Sequence, residues 1–124
     1  MKKIILITIV SVFFVVSCNN NQCKTDSEFK ESYYTMLDTI TSYGKQFDTD
    51  GTVVFIPEVV SSFLDCTDYL KLLTHHEFRY IIAGQPIYEN QSDWKADIQD
   101  LEKWYQDNKC DMTKEKADSI VNAR

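Results

Sequence analysis

Apolar positions along this chain change their rhythm twice. From Ile4 to Val16 they run unbroken except at Thr8 and Ser11, behind Lys2 and Lys3. From Phe29 onward they recur at helical spacing, at Phe29, Tyr33, Met36, Leu37, Ile40, Tyr43 and Phe47. Thr25 with Glu28 makes a capping-box start for that first helix, and Gly44 marks its end. Residues 44–51, with Asp48, Asp50 and Gly51, read as a loop. Thr52 to Ile56 precedes Pro57, which disfavours α conformation at Ile56, so it reads as an extended lead-in. Pro57 suits the first position of a second helix over about 57–65. Thr67 or Asp68 can cap a third, Tyr69 to Thr74, carrying Leu70, Leu72 and Leu73. The stretch Phe78–Tyr88 shows no clear period, and Ala83-Gly84-Gln85-Pro86 breaks it. Ser92 caps a strongly patterned helix from Asp93 to about Asn108, with Trp94, Ile98, Leu101, Trp104 and Tyr105 on its inner stripe. A last helix, Thr113 to Asn122, puts Ala117, Ile120 and Val121 on one face. The expectation is an all-α fold, a small helical bundle or helical-hairpin stack of about five helices.

The unbroken run at the start has a different meaning. Thirteen residues of helix cover about 20 Å, short of the roughly 30 Å of a bilayer core. With two lysines ahead of it and a small residue behind, it reads as a secretory signal peptide. Val15-Val16-Ser17-Cys18 then resembles the bacterial lipobox: an aliphatic residue, two tolerated residues, and the cysteine that becomes residue one. The resemblance implies cleavage before Cys18, a diacylglyceryl thioether on that cysteine and acylation of the new amino terminus with a palmitate-type chain. Each buried methylene contributes about 0.8 kcal/mol, so two or more chains hold a protein firmly to a membrane. The expected division is a signal peptide over 1–17, a lipidated cysteine and flexible polar tether over 18–25, and a single helical domain over 26–124. The expected location is the cell envelope, on the periplasmic or surface face of a bacterial membrane.

Charge narrows the partners. The chain carries a net charge of -6, and removing 1–17 takes away Lys2 and Lys3 to leave 107 residues at -8. An acidic surface argues against nucleic acid and anionic lipid and favours a basic partner. With Cys18 reserved for lipid, Cys23, Cys66 and Cys110 permit at most one bridge. Cys66 and Cys110 both fall at expected helix ends, which makes 66–110 the leading pairing; 23–110, 23–66 or three free thiols are the alternatives. No C-x-x-C spacing supports a redox or zinc site.

The second half of the domain carries a further resemblance. Asp68-Tyr69-Leu70-x-x-Leu73-Thr74-x-x-x-Phe78-x-Tyr80, followed by Trp94, Asp97, Trp104, Tyr105 and Asn108-Lys109, resembles a segment at the end of HEAT-like helical repeat proteins. In that pattern leucines pack one helix, Leu-Thr closes it, and the Phe and paired Trp lock the next helix against it. The resemblance covers residues 68–109 and implies a scaffold that binds other proteins. This chain departs from it at His75 after Thr74 and at Arg79 after Phe78, where the pattern usually has glycine.

Strings that could carry chemistry are few. Asp48-Thr49-Asp50-Gly51-Thr52-Val53 resembles the first motif of haloacid-dehalogenase-type phosphotransferases, whose first aspartate is the nucleophile and whose second is an acid/base. That motif must end a buried strand, whereas Ser42-Tyr43-Gly44-Lys45-Gln46 precedes it here. A calcium loop would need a closing glutamate further on, and none stands there. The string reads as an acidic turn. His75 and His76 are adjacent and would point about 100° apart on a helix, unlike the i, i+4 pairs of metal-binding helices. One histidine is expected to pack and the other to lie exposed at a helix end. Ser61, Ser62 and Ser119 have no base placed by sequence to activate them. Trp94, Trp104 and Tyr105 form a stripe that is core first, packing the 93–108 helix against Leu70, Leu73 and Phe78, with a sugar- or peptide-binding face as the alternative. No cofactor or metal is expected. The expected function is a lipid-anchored, non-catalytic protein-binding module, in one form an immunity-type inhibitor. The alternatives are a small envelope hydrolase or a structural accessory subunit of an outer-membrane complex.

Overall fold

The computed structural model describes residues 23–124, so the expected signal peptide, the lipobox-like Val15-Val16-Ser17 and Cys18 lie outside the described residues. Helix α1 spans Ser27–Lys45 and runs into a 3-10 turn at Gln46–Asp48. Helix α2 spans Pro57–Thr74, strands β1 and β2 span Ile81–Ala83 and Gln85–Ile87, α3 spans Gln91–Asn108 and α4 spans Lys114–Asn122. Among the described residues none of these helices is long and apolar enough to cross a membrane.

The described residues are mostly helical, as the apolar spacing required, but with four helices where about five were expected. Residues 57–65 and 69–74 belong to one helix because the supposed cap between them is interior. Thr67 is buried, and its hydroxyl donates to the Leu64 carbonyl at 3.1 Å within the helix. Phe63, Thr67, Leu70 and Leu73 make one continuous inward stripe. The unpatterned stretch is a short antiparallel hairpin, Ile81 facing Ile87 and Ile82 facing Pro86, turned at Gly84 with φ 75°. Proline has no N–H, so Ile82–Pro86 must be the pair that exchanges no hydrogen bonds. The Pro86 carbonyl accordingly faces out of the ladder and accepts from the Tyr43 hydroxyl at 2.7 Å.

Helix ends show where the local chemistry acts. Asp26, not Thr25, takes the cap position of α1 and makes no side-chain cap bond there. Its carboxylate instead accepts from the Lys114 backbone N–H at 2.7 Å, on the first turn of α4. That joins the starts of two helices and places negative charge where a helix N-terminus favours it. Thr113, read as the first residue of the last helix, is instead the cap of α4, accepting from the Lys116 N–H at 3.1 Å. Asn90, not Ser92, takes the cap position of α3. Helix α2 ends on His75 at φ 61°, whose N–H donates to the Lys71 carbonyl at 2.9 Å. That is the left-handed closure that glycine usually supplies.

Helices α1 and α3 pack antiparallel, which the contacts spell out residue by residue. Phe29 lies 5.8 Å from Tyr105, the Tyr33 hydroxyl donates to the Leu101 carbonyl at 2.6 Å, and Asp48 meets Trp94 and Gln91 at the far end. Helix α2 turns back along α1, stacking Phe63 on Tyr43 with ring centroids 3.9 Å apart. The core that results is dominated by aromatic rings from α1, α2 and α3.

This arrangement corrects the cysteine pairing. Cys23 and Cys110 form the disulfide, their Cα atoms 5.3 Å apart, and Cys66 is free. Because α3 runs antiparallel to α1, its C-terminal end returns to the beginning of α1, where Cys23 waits. Cys66 sits midway along the unbroken α2 and not at a helix end.

Candidate functional site

The aromatic stripe of α3 is core. Trp94 is 5% exposed, Tyr105 is 2% exposed, and Trp104 is half-buried. Trp94 packs onto Gly44, where a Cβ would stand 2.5 Å from the Trp94 ring, so glycine is there to admit the indole. The indole N–H donates to Asp48 Oδ1 at 2.9 Å. Trp104 stacks on Tyr33 at 5.7 Å. Both tryptophans thus find their nearest partners on α1, which the sequence had not singled out for that part. The Tyr105 ring is enclosed by Phe29, Tyr33 and Tyr34. Its hydroxyl is buried without a hydrogen-bond partner among the described residues. Trp94 and Tyr105 are thus enclosed, while Trp104 keeps part of its ring at the surface.

The most concentrated polar cluster centres on Asp97, whose side chain is fully buried. Oδ1 receives His76 Nε2 at 2.9 Å and Arg79 Nη1 at 2.8 Å. Oδ2 receives the Tyr88 hydroxyl at 2.8 Å and the Arg79 backbone N–H at 3.1 Å. Burial by itself would raise the carboxyl pKa, but the hydrogen bonds from His76, Tyr88 and Arg79 outweigh it and hold Asp97 below the ordinary carboxylate value. Burial and the neighbouring Asp97 push the Tyr88 phenol far above its usual value. Four donors fill the acceptor capacity of one carboxylate. The cluster therefore clamps residues 76–88 to α3. Its aspartate has no free lone pair for proton transfer, and its histidine is fixed against it and against Phe78. His76 packs while His75 lies exposed at the helix end, the division read from the sequence. The sequence had named Asp97 and His76 separately; their pairing was not legible because it depends on the path of the intervening hairpin.

The other sequence candidates are also structural or lie in the open. Asp48 is engaged by Trp94 and Gln91, the latter at 3.0 Å, and so ties the acidic turn to the start of α3. Ser61 and Ser62 are exposed on α2, remote from the histidines at its other end. Burial pushes the Cys66 thiol pKa up, against a smaller opposing effect of the Thr39 hydrogen bond, which keeps the thiol protonated and unreactive.

What remains is surface. Among the described residues five large apolar side chains are exposed, led by Val54 at 70% and Ile82 at 64%, with Ile56, Val59 and Ile81. They lie toward the C-terminal end of α1, away from Cys23: on the lead-in to α2, on its first turn, and on the hairpin tied to Tyr43. Gln85 of the hairpin shares a groove of about 500 Å³ with Phe55, Pro57, Val60 and Leu64. A second groove, about 470 Å³, runs between α1 and α2 past Asp38, Ser42, Tyr43, Glu58 and Val59. No known family, no curated protein and no solved structure matches the chain.

Proposed function

We propose that this chain is a lipid-anchored protein of the bacterial cell envelope that acts as a non-catalytic protein-binding module. The observation that carries the binding reading is the set of exposed apolar side chains at one end, Val54, Ile56, Val59, Ile81 and Ile82. Apolar side chains grouped on a domain surface, with polar groups around them, mark interaction sites more often than they mark accidents of packing. The anchor reading rests on the leader and on Val15-Val16-Ser17-Cys18, whose likeness to the lipobox implies lipid on Cys18. The HEAT-like resemblance of residues 68–109 points the same way, to a scaffold and not to a reaction. An acidic module at a membrane also suits an immunity-type inhibitor, which must hold a basic toxin domain.

Anchor and apolar end fit together. Cys23 stands five positions after Cys18, a reach of at most about 18 Å even when fully extended. Cys23 is stapled to Cys110 at the start of α1, and α1 then carries the chain about 28 Å away at 1.5 Å per residue. A lipid on Cys18 therefore puts the stapled end at the membrane and turns the apolar end outward, toward partners.

Two measurements test the reading. Cells fed labelled palmitate should label the wild type and not Cys18→Ala; label persisting on the variant would end the anchor proposal. A photo-crosslinking residue at Val54 or Ile82, in living cells, should capture one discrete protein, while the same residue at Ser119 captures none. Identical patterns from all three positions would end the binding proposal.

A further inference from the structure

Three grooves lie side by side over the outer face of α2. One separates α1 from α2 and another separates α2 from Phe55 and Gln85; the third joins them through Glu58, Ser61, Ser62 and Asp65. Their apolar lining comes from Tyr43, Phe55, Val59, Val60 and Leu64. Their charged lining is Asp38, Glu58, Asp65 and Asp68, and no lysine or arginine lines any of the three. All four carboxylates are exposed.

No cation of this face compensates its charge. Elsewhere Asp97 and Asp100 pair with Arg79, Asp107 with Lys103, and Asp118 with Lys114. Among the described residues Asp38, Glu58, Asp65 and Asp68 take no ion pair and no side-chain hydrogen bond. Asp65 and Asp68 stand three apart on one helix, a like-charge spacing that weakens a helix by a few tenths of a kcal/mol. A neutral apolar segment seated here would strip water from carboxylates and give them nothing in return, which is costly. A segment bearing cations beside its apolar side chains would satisfy both linings at once.

We infer that this face of α2 receives a lysine- or arginine-rich amphipathic segment of a protein partner. Its apolar side chains lie along Tyr43, Val59, Val60 and Leu64, and its cations meet Asp38, Glu58, Asp65 and Asp68. The inference rests on the protein-binding reading above and supplies the partner's chemistry.

The test uses the full chain in a non-ionic detergent and two labelled helical peptides of equal length, one built of Leu and Lys, the other of Leu and Gln, read by fluorescence anisotropy. Two variants carry the same change in net charge. In the face variant Asp38→Asn, Glu58→Gln, Asp65→Asn and Asp68→Asn are combined; in the control Glu31→Gln, Glu77→Gln, Glu89→Gln and Glu115→Gln are combined. The Lys peptide should bind the wild type about tenfold or more tighter than the Gln peptide, because only it pairs the carboxylates. Its affinity should fall about tenfold in the face variant and by less than about threefold in the control, where only the long-range field changes. Should the face variant fail to melt cooperatively, Asp65→Asn alone should weaken binding about threefold, as loss of one close charge pair does. Equal losses in both variants would show diffuse attraction to an acidic protein and overturn the inference. A Gln peptide bound as tightly as the Lys peptide would overturn the basic partner while leaving a protein-binding face. Binding of neither peptide would overturn the inference as well, and crosslinking from Val54 would then decide the broader reading separately.

Discussion

Two positions show how much one Cβ atom can matter in this domain, in opposite senses. At Gly44 of α1 an added Cβ would meet the Trp94 ring at 2.5 Å, and the ring cannot retreat because its N–H is held by Asp48. Gly44→Ala should therefore cost about 2–3 kcal/mol, in the range of overpacked cores, although alanine is the better helix former. At His75 the backbone already sits at φ 61°, in the left-handed region, with a side chain that gains only an exposed contact to Arg124. His75→Gly should stabilise by about 0.5–1 kcal/mol, since relief of the left-handed strain exceeds glycine's extra unfolded-state entropy. Urea unfolding of both variants checks the pair. Gly44→Ala as stable as wild type would mean that α3 is not seated against α1 as described, and a destabilising His75→Gly would mean that the ring has a packing part. Legibility at this scale was uneven. Gly44 announced itself only as a helix end, because the tryptophan that needs the space stands fifty residues later. His75 stands where the HEAT-like pattern has glycine, and the strain lies there.

Among the elements, the helices were legible wherever one inward stripe ran uninterrupted, as in α1 and α3. Helix α2 was split in reading because Thr67-Asp68 has the composition of a cap, and nothing local tells a buried, back-bonded threonine from a capping one. The hairpin escaped because each strand has three residues and one of them is proline. Gly84 between two short apolar runs was the available signal, and it is weak at that length. What fixes this hairpin is Asp97, through Tyr88, Arg79 and His76. Because its folded pKa lies below the ordinary value, the unfolded chain binds more protons than the folded one through the acid range. Its contribution is complete above about pH 4, the ordinary carboxyl range, and is lost as pH falls through the folded value. Asp97→Asn should cost about 3 kcal/mol at neutral pH, the low end for a broken buried ion pair given how much of Arg79 is in water. Urea midpoints for both proteins, measured from pH 6 down to pH 3, should begin to draw together below about pH 4 as the wild type loses this contribution. A gap that stays constant through that range would show that the carboxylate charge has no part in the clamp.

For the molecule as a whole the decisive link is the one between its two ends in sequence. Cys23 and Cys110 are 87 residues apart and enclose α1, α2, the hairpin and α3, leaving only α4 outside the loop. The sequence could count the cysteines, but its leading pairing, Cys66 with Cys110, was the wrong one. The choice depends on α3 returning antiparallel to the beginning of α1, a fact about topology and not about spacing. A closed loop of this length stabilises by about 4–5 kcal/mol in the chain-entropy account, a large share of the 5–15 kcal/mol available to a small domain. Asp26 adds a second fastening beside it, from the start of α1 to the start of α4. The stapled end should therefore be the part of the domain most dependent on oxidation, and the aromatic core the part least dependent on it. Reduction, or Cys23→Ser, should lower the melting temperature by ten degrees or more, given that about 1 kcal/mol shifts a domain of this size by roughly 4–8 °C. Cys66→Ser should leave it within about two degrees, because that thiol is half-buried and forms no bridge. Hydrogen exchange on the reduced protein should show early loss of protection at the start of α1 and the end of α3, with Tyr43, Phe63 and Leu70 protected longest. If Cys66→Ser produced the larger drop, or if exchange began in α2, the pairing that fastens the start of α1 to the end of α3 would have to be reassigned.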